Sequence, residues 1–189
     1  MREYILEKVK DTTAYFKFGN VPVLQRDELP SNVDGQARDA NALYKDGVFY
    51  ITNDQDNAAD LIDDIVHEFA HHVEMLYPEE IYGDEKLKKE FIKKRAQLEF
   101  ELRCEGYWTK EYDFKNMLYD PEFDQFLYKR VGGNALRMVT AGIFVRPYSS
   151  VSMREYFATG FEAYFLGKKK LLQELSPELY KKIDDLVNN

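Results

Sequence analysis

The sequence predicts an α+β fold, with a small N-terminal sheet followed by a mainly helical C-terminal half. Two patterns predict it. Apolar, β-prone segments flank the pair Asp46-Gly47, which is typical of a two-residue hairpin turn. From residue 58 onward, apolar residues instead recur at the three- to four-residue spacing of amphipathic helices. A chain of 189 residues fits one domain, and we predict a single domain over residues 1–189.

The predicted sheet begins with a partly alternating segment at 13–18 that ends at a turn, and residues 28–41 are polar enough to form a loop. The hairpin is predicted at 41–52, directly before the first long helix. We expect its second strand, at about 48–52, to lie at an edge of the sheet. An extended peptide could pair with such an edge strand.

The helix predicted at about 58–76 carries the most informative residues of the chain. His67 and His71 are four residues apart, so their imidazoles share one helix face and can hold one zinc ion. Glu68 lies beside the metal position, where a carboxylate can act as a general base on water. The third histidine, His72, points about 100° away around the helix and is predicted to be a neighbouring or surface group.

Composition excludes several classes of function. The net charge of −8 argues against nucleic acid as a partner. The chain has no apolar run of about 18 residues, so we predict no membrane span, and its N-terminus lacks the pattern of a secretory signal. We therefore expect a cytoplasmic protein, or one delivered without an ordinary signal peptide. The single cysteine, Cys104, can form neither an internal disulfide nor a paired-cysteine zinc site.

The C-terminal half is predicted to be helical at 84–105, from Pro121 to Gly132-Gly133, and at 134–143, 152–166 and 177–187. A catalytic zinc needs three protein ligands, so a carboxylate on one of these helices should complete the site. Glu155 is the best candidate, because it heads a largely apolar helix on which an acidic side chain needs a partner. Ser152 and Glu155 also match a capping box, which is the alternative role, and Glu162 is the reserve ligand.

Two segments, 67–71 (HEFAH) and 155–161 (EYFATGF), resemble the gluzincin metallopeptidases. In particular they look like the catalytic domain of anthrax toxin lethal factor and the related clostridial proline-proline endopeptidases. The resemblance implies a zincin-like fold, a Zn²⁺ cofactor held by His67, His71 and Glu155, and Glu68 as general base. It also implies a supporting tyrosine seven residues before the glutamate, which is the position of Tyr148.

The chain departs from the family pattern in one important respect. His71 and Glu155 are 84 positions apart, which is longer than the interval expected in the family. Residues 79–147 are therefore predicted to be a helical, aromatic-rich insertion that shapes the cleft and its substrate specificity.

These residues predict a zinc-dependent endopeptidase that acts on a peptide or protein substrate. One alternative is a non-catalytic binding or structural module that keeps the fold within a larger assembly. Another is a zinc hydrolase with a non-peptide substrate. Glu68 and Tyr148 favour the enzyme, because a structural zinc site needs no base. Structural zinc sites also usually have four protein ligands that are rich in cysteine, which this chain cannot supply. The sequence predicts neither the cleavage specificity nor the oligomeric state.

Overall fold

The computed structural model describes the backbone of residues 23–24, 42–45, 48–52 and 58–188, and the side chains of residue 50 and residues 61–188. The chain divides into two compact units, Met1–Tyr77 with Asp184–Asn189, and Pro78–Ile183. Among the described helices, none has the length and apolar character needed to cross a membrane. The predicted strand at 13–18 and the predicted loop at 28–41 lie outside the described residues.

Three short strands lie in the first unit: β1 (Val23–Leu24), β2 (Ala42–Lys45) and β3 (Val48–Thr52). Strands β2 and β3 pair antiparallel, and β1 pairs parallel with β3. The order β1-β3-β2 therefore places β3 at the centre. The prediction of an edge strand at 48–52 that binds peptide is wrong, because neighbouring strands occupy both edges of β3.

The predicted α+β fold class is also wrong, because the described part of the chain is mostly helical. Among the described residues, strand is confined to the three segments above, so this part of the chain is mainly α. A hairpin pattern is a local signal, and it does not decide how much of the core a sheet supplies. The helical periodicity that runs from residue 58 onward dominates instead.

Helix α1 (Ala58–Leu76) is the long helix of the first unit and carries the histidine motif. Its bounds agree with the helix predicted at 58–76. Its apolar stripe is buried, comprising Ile65, Val66, Phe69, Ala70 and Val73. The burial of this stripe leaves the polar residues of α1 on another face of the helix.

The second unit is built from short and medium helices. They are α2 (Pro78–Tyr82), α3 (Lys86–Cys104), α4 (Pro121–Gln125), a π-helix (Phe126–Gly132), α5 (Gly133–Thr140), a 3₁₀-helix (Pro147–Ser150), α6 (Met153–Phe165), α7 (Lys169–Leu175) and α8 (Pro177–Asn188), which ends in the first unit. The sequence patterns did not predict α2, α7 or the π-helix.

Helix α6 is the most buried helix of the second unit, and Arg154 is its exposed exception near the start. Helix α8 begins beside α6, and the side chain of Glu90 in α3 binds the first turn of α8. The Glu90 carboxylate accepts the backbone N–H of Glu178 at 2.9 Å and that of Leu179 at 3.1 Å. It therefore satisfies two N–H groups that a helix start leaves unpaired, and it also accepts the Tyr156 hydroxyl at 2.7 Å.

Gly160 allows α6 and α8 to approach closely, and Gly160→Ala should destabilise the protein. A Cβ at this position would lie 2.8 Å from Leu179 Cγ. Overpacking of this kind costs about 1–3 kcal/mol, which exceeds the helix-propensity gain of about 1 kcal/mol. We expect a lower melting temperature for Gly160→Ala. In a Leu179→Ala background, where the obstructing atoms are absent, the same change should cost nothing.

Gly133→Ala is the matched control, because a Cβ there meets no atom within 4 Å. It should raise the stability through helix propensity alone. If Gly160→Ala raised the melting temperature as Gly133→Ala does, the close packing of Gly160 on Leu179 would be wrong.

Candidate metal centre and tyrosine cluster

Helix α1 brings His67, Glu68 and His71 together. One ligand atom from each lies within 4.8 Å of the others. The two imidazole rings are 5.1 Å apart between centroids and nearly perpendicular, at 84°. Two imidazole nitrogens with a nearby carboxylate oxygen fit a zinc ion, which prefers these donors. The spacing of the motif therefore produces a group that can hold a metal.

Glu74 lies one helical turn beyond His71 and orients its ring. His71 Nδ1 lies 3.4 Å from Glu74 Oε2, and each side chain is only 10% exposed. When Nδ1–H donates to this carboxylate, the lone pair of Nε2 is left for a metal. Glu74 was not among the predicted site residues, although its i, i+3 spacing from His71 is the signal that could have identified it.

Glu74→Leu should weaken zinc binding by about 10–100-fold, because loss of the partner of a metal-binding histidine has that effect. Glu74→Gln keeps an amide oxygen as acceptor and should lose less. Competition with a coloured zinc chelator would measure both dissociation constants without any activity assay. An unchanged affinity in Glu74→Leu would show that Glu74 does not support the metal.

The surroundings of His72 differ from those of His67 and His71. Its ring contacts that of Phe69 at 5.9 Å between centroids. Burial lowers the pKa of His72, because the charged imidazolium is disfavoured away from water. Among the described residues, the group of potential metal ligands on α1 does not include His72.

Glu155 and Tyr148 belong to the second unit. Glu155 is the third residue of α6 and is only 5% exposed. Its backbone N–H donates to Ser152 Oγ at 3.2 Å, so the Ser152 half of the predicted capping box is formed. A buried carboxylate is costly unless it is paired. Its burial is therefore compatible with a ligand role as well as with a cap.

Glu162, the reserve ligand, is engaged by Arg146. Arg146 Nη1 donates to both carboxylate oxygens of Glu162, at 2.5 and 2.6 Å. The Glu162 side chain is only 3% exposed, and that of Arg146 is 43% exposed. An ion pair of this kind stabilises a buried carboxylate. It therefore argues against Glu162 as a zinc ligand.

Tyr148 lies in a cluster of polar and aromatic residues. Its ring contacts that of Tyr128 at 6.3 Å between centroids. Burial, and next the charge of Glu155, raises the pKa of Tyr148 well above its usual value. The phenol is therefore protonated at neutral pH and able to donate a hydrogen bond.

Asp124 forms another part of the same cluster. Its Oδ2 accepts the Tyr119 hydroxyl at 3.0 Å. Its Oδ1 is buried and has no hydrogen-bond partner among the described residues. Burial raises the pKa of Asp124, and burial together with the charge of Asp124 raises that of Tyr128. The sequence patterns did not identify Asp124 or Tyr128, because nothing local indicates that they lie near Tyr148.

Comparison of the chain with protein-family models, with curated proteins and with solved structures found no significant match. The gluzincin resemblance therefore depends on the two motif segments alone.

Proposed function

We propose that the chain is a zinc-dependent endopeptidase. The supporting observation is the group formed by His67, Glu68 and His71, whose ligand atoms lie within 4.8 Å of one another. The contact of Glu74 with His71 adds support, because carboxylates commonly orient histidines that bind metals. A base beside two imidazoles serves hydrolysis, and a purely structural metal site has no need of it.

In this proposal His67 and His71 hold the zinc, and Glu155 is the third ligand on the argument from sequence. When bound, zinc would polarise a water molecule and lower its pKa toward neutrality. Glu68 accepts a proton from the attacking water and returns it to the leaving amine. Tyr148 donates a hydrogen bond to the oxyanion that forms at the substrate carbonyl.

We propose peptides as substrates because the His67–His71 motif and Tyr148 resemble those of metallopeptidases. Pairing of the substrate with the strand at 48–52 is not part of the proposal, because β3 is central in its sheet. The alternative function remains a non-catalytic module that keeps the same metal-binding group. The two functions differ in one measurable property, which is hydrolysis that depends on both zinc and Glu68.

The test is incubation of the purified, zinc-loaded protein with a diverse peptide mixture, followed by mapping of new termini by mass spectrometry. A parallel sample receives a zinc chelator and then excess zinc. We expect new cleavages that disappear with the chelator and return with zinc. If the zinc-loaded protein cuts neither peptides nor unfolded proteins, the endopeptidase proposal fails and the non-catalytic module is favoured.

A further inference from the structure

The backbone that carries Tyr148 is held on several sides. Ser150 Oγ donates to the carbonyl of Pro147 at 2.7 Å, which closes the 3₁₀-helix on itself. The hydroxyls of Ser149 and Thr159 are 2.7 Å apart, which ties this helix to α6. These contacts fix the Cα of Tyr148. They do not fix the direction of its phenol ring, which depends on the groups that pack against that ring.

Tyr128 is an aromatic residue that packs there. The two rings meet edge to face, with an interplanar angle of 60° and 6.3 Å between centroids. Aromatic pairs in this geometry contribute about 0.5–1.5 kcal/mol beyond the area they bury. That energy is enough to favour one ring orientation of Tyr148 over others.

The helix that carries Tyr128 has an unusual winding. Asp120 caps its start by accepting the N–H groups of Glu122 and Phe123. The winding changes from α to π at Phe126, two residues before Tyr128. π-Helices are rare and occur frequently at functional sites. The change re-aims every side chain that follows it, and Tyr128 is among the first.

Asp124 connects this helix to the same cluster from one turn earlier. It accepts the Tyr119 hydroxyl at 3.0 Å, and its charge acts on both Tyr128 and Tyr148. Two side chains of the α4–π segment therefore lie close enough to Tyr148 to influence it. The contact between the two tyrosine rings is therefore accompanied by the charge of Asp124, which acts on both rings.

We propose that Tyr128 is a positioning residue, whose edge-to-face contact holds the ring of Tyr148 in the orientation from which its hydroxyl acts on the substrate. This inference deepens the proposed peptidase function and depends on it. The aromatic ring of Tyr128 carries the effect, and its hydroxyl is dispensable. Loss of the ring misdirects Tyr148 without removing any reacting group.

The kinetic test compares Tyr128→Leu, which removes the ring, with Tyr128→Phe, which keeps it. We expect Tyr128→Leu to lower kcat about 10-fold with little change in KM, as small misplacements of a catalytic group do. Tyr128→Phe should retain the activity. In a Tyr148→Phe background, which lacks the hydroxyl to be positioned, Tyr128→Leu should lower kcat less than about 2-fold further. Equal losses in both backgrounds would overturn the proposal.

Tyr112→Leu is the matched control for general loosening. Tyr112 stacks on Phe126 of the same π-helix, at 4.2 Å between centroids. It should lower the melting temperature while leaving kcat in the folded fraction near the original value. If Tyr128→Leu does not fold, Tyr128→Met takes its place in the same comparison.

A second measurement does not depend on activity. 3-Fluorotyrosine placed at position 148 reports the ring environment by ¹⁹F NMR in the intact, zinc-loaded chain. We expect the resonance of the parent protein to persist in Tyr128→Phe and to shift and broaden in Tyr128→Leu. An unchanged resonance in Tyr128→Leu overturns the positioning role whether or not the protein cuts peptides. A shifted resonance in a protein that cuts nothing supports the contact and removes only the proposed function.

Discussion

The Glu68→Gln variant is expected to bind zinc as tightly as the parent chain and to lose about 10²–10⁴-fold in kcat/KM for peptide cleavage. This range is the usual contribution of a general base. Glutamine has nearly the volume of glutamate, so α1 should be undisturbed. Its amide cannot accept the proton of the attacking water, so the proposed chemical step loses its base.

Zinc content by elemental analysis and cleavage of a peptide found in the mixture would be measured on the same samples. Glu79→Gln is the matched control, because Glu79 is an exposed acidic residue in the first turn of α2. It should leave both measurements unchanged. Full activity in a zinc-bearing Glu68→Gln variant would remove the mechanism. Loss of zinc from that variant would instead make Glu68 a ligand, which its place among the grouped donor atoms allows.

Arg95→Met is expected to lower the free energy of unfolding by about 3 kcal/mol or more. Arg95 is only 1% exposed. Its guanidinium donates to the carbonyls of Ser150 at 2.6 Å, Val151 at 3.2 Å and Asp113 at 3.3 Å. Each buried carbonyl left without a partner costs about 1–3 kcal/mol.

Desolvation opposes this effect, because burial lowers the pKa of Arg95 to about 10 and so disfavours its charge. Methionine would relieve that penalty. It would also lose the stacking of the guanidinium on Phe123, whose ring centroid is 3.9 Å away. The Asp113 carbonyl would keep the N–H of Asn116 at 3.1 Å. The loss of the hydrogen bonds to Ser150 and Val151, together with the lost stacking, still outweighs the relief, since the guanidinium remains charged at neutral pH.

Thermal unfolding would test this, with an expected fall in melting temperature of about 6–12 °C for a chain of this size. Arg103→Met is the matched control, because Arg103 is exposed in the last turn of the same helix. It should change the stability by less than about 0.5 kcal/mol. Equal melting temperatures for Arg95→Met and Arg103→Met would contradict the bridging role. Arg95→Lys should lose less stability than Arg95→Met but remain below the parent protein, because the lysine ammonium lacks the forked guanidinium that donates to several carbonyls at once.

Local interactions explain what could be predicted from the sequence. Helix α1 lies at Ala58–Leu76 because its apolar residues repeat at helical spacing, and that spacing alone puts His67 and His71 on one face. The start of α6 follows from Ser152, whose side chain accepts the Glu155 N–H. These features depend on residues within a few positions of one another, so they can be read from the sequence without knowing the rest of the fold.

Contacts between distant residues decided the rest. A hairpin pattern does not indicate whether a strand lies at the edge or in the centre of its sheet. Strand β3 is central because β1, which lies more than 20 residues earlier in the chain, pairs with its other side. The pairing of Arg146 with Glu162 also required the folded chain, and so did the approach of Tyr128 to Tyr148. The sequence by itself determined most helix bounds and the placement of His67, Glu68 and His71 together on one helix, because these follow from backbone geometry. Only the tertiary structure decided the fold class, the partner of Glu162 and the surroundings of Tyr148, because these depend on which surfaces pack together.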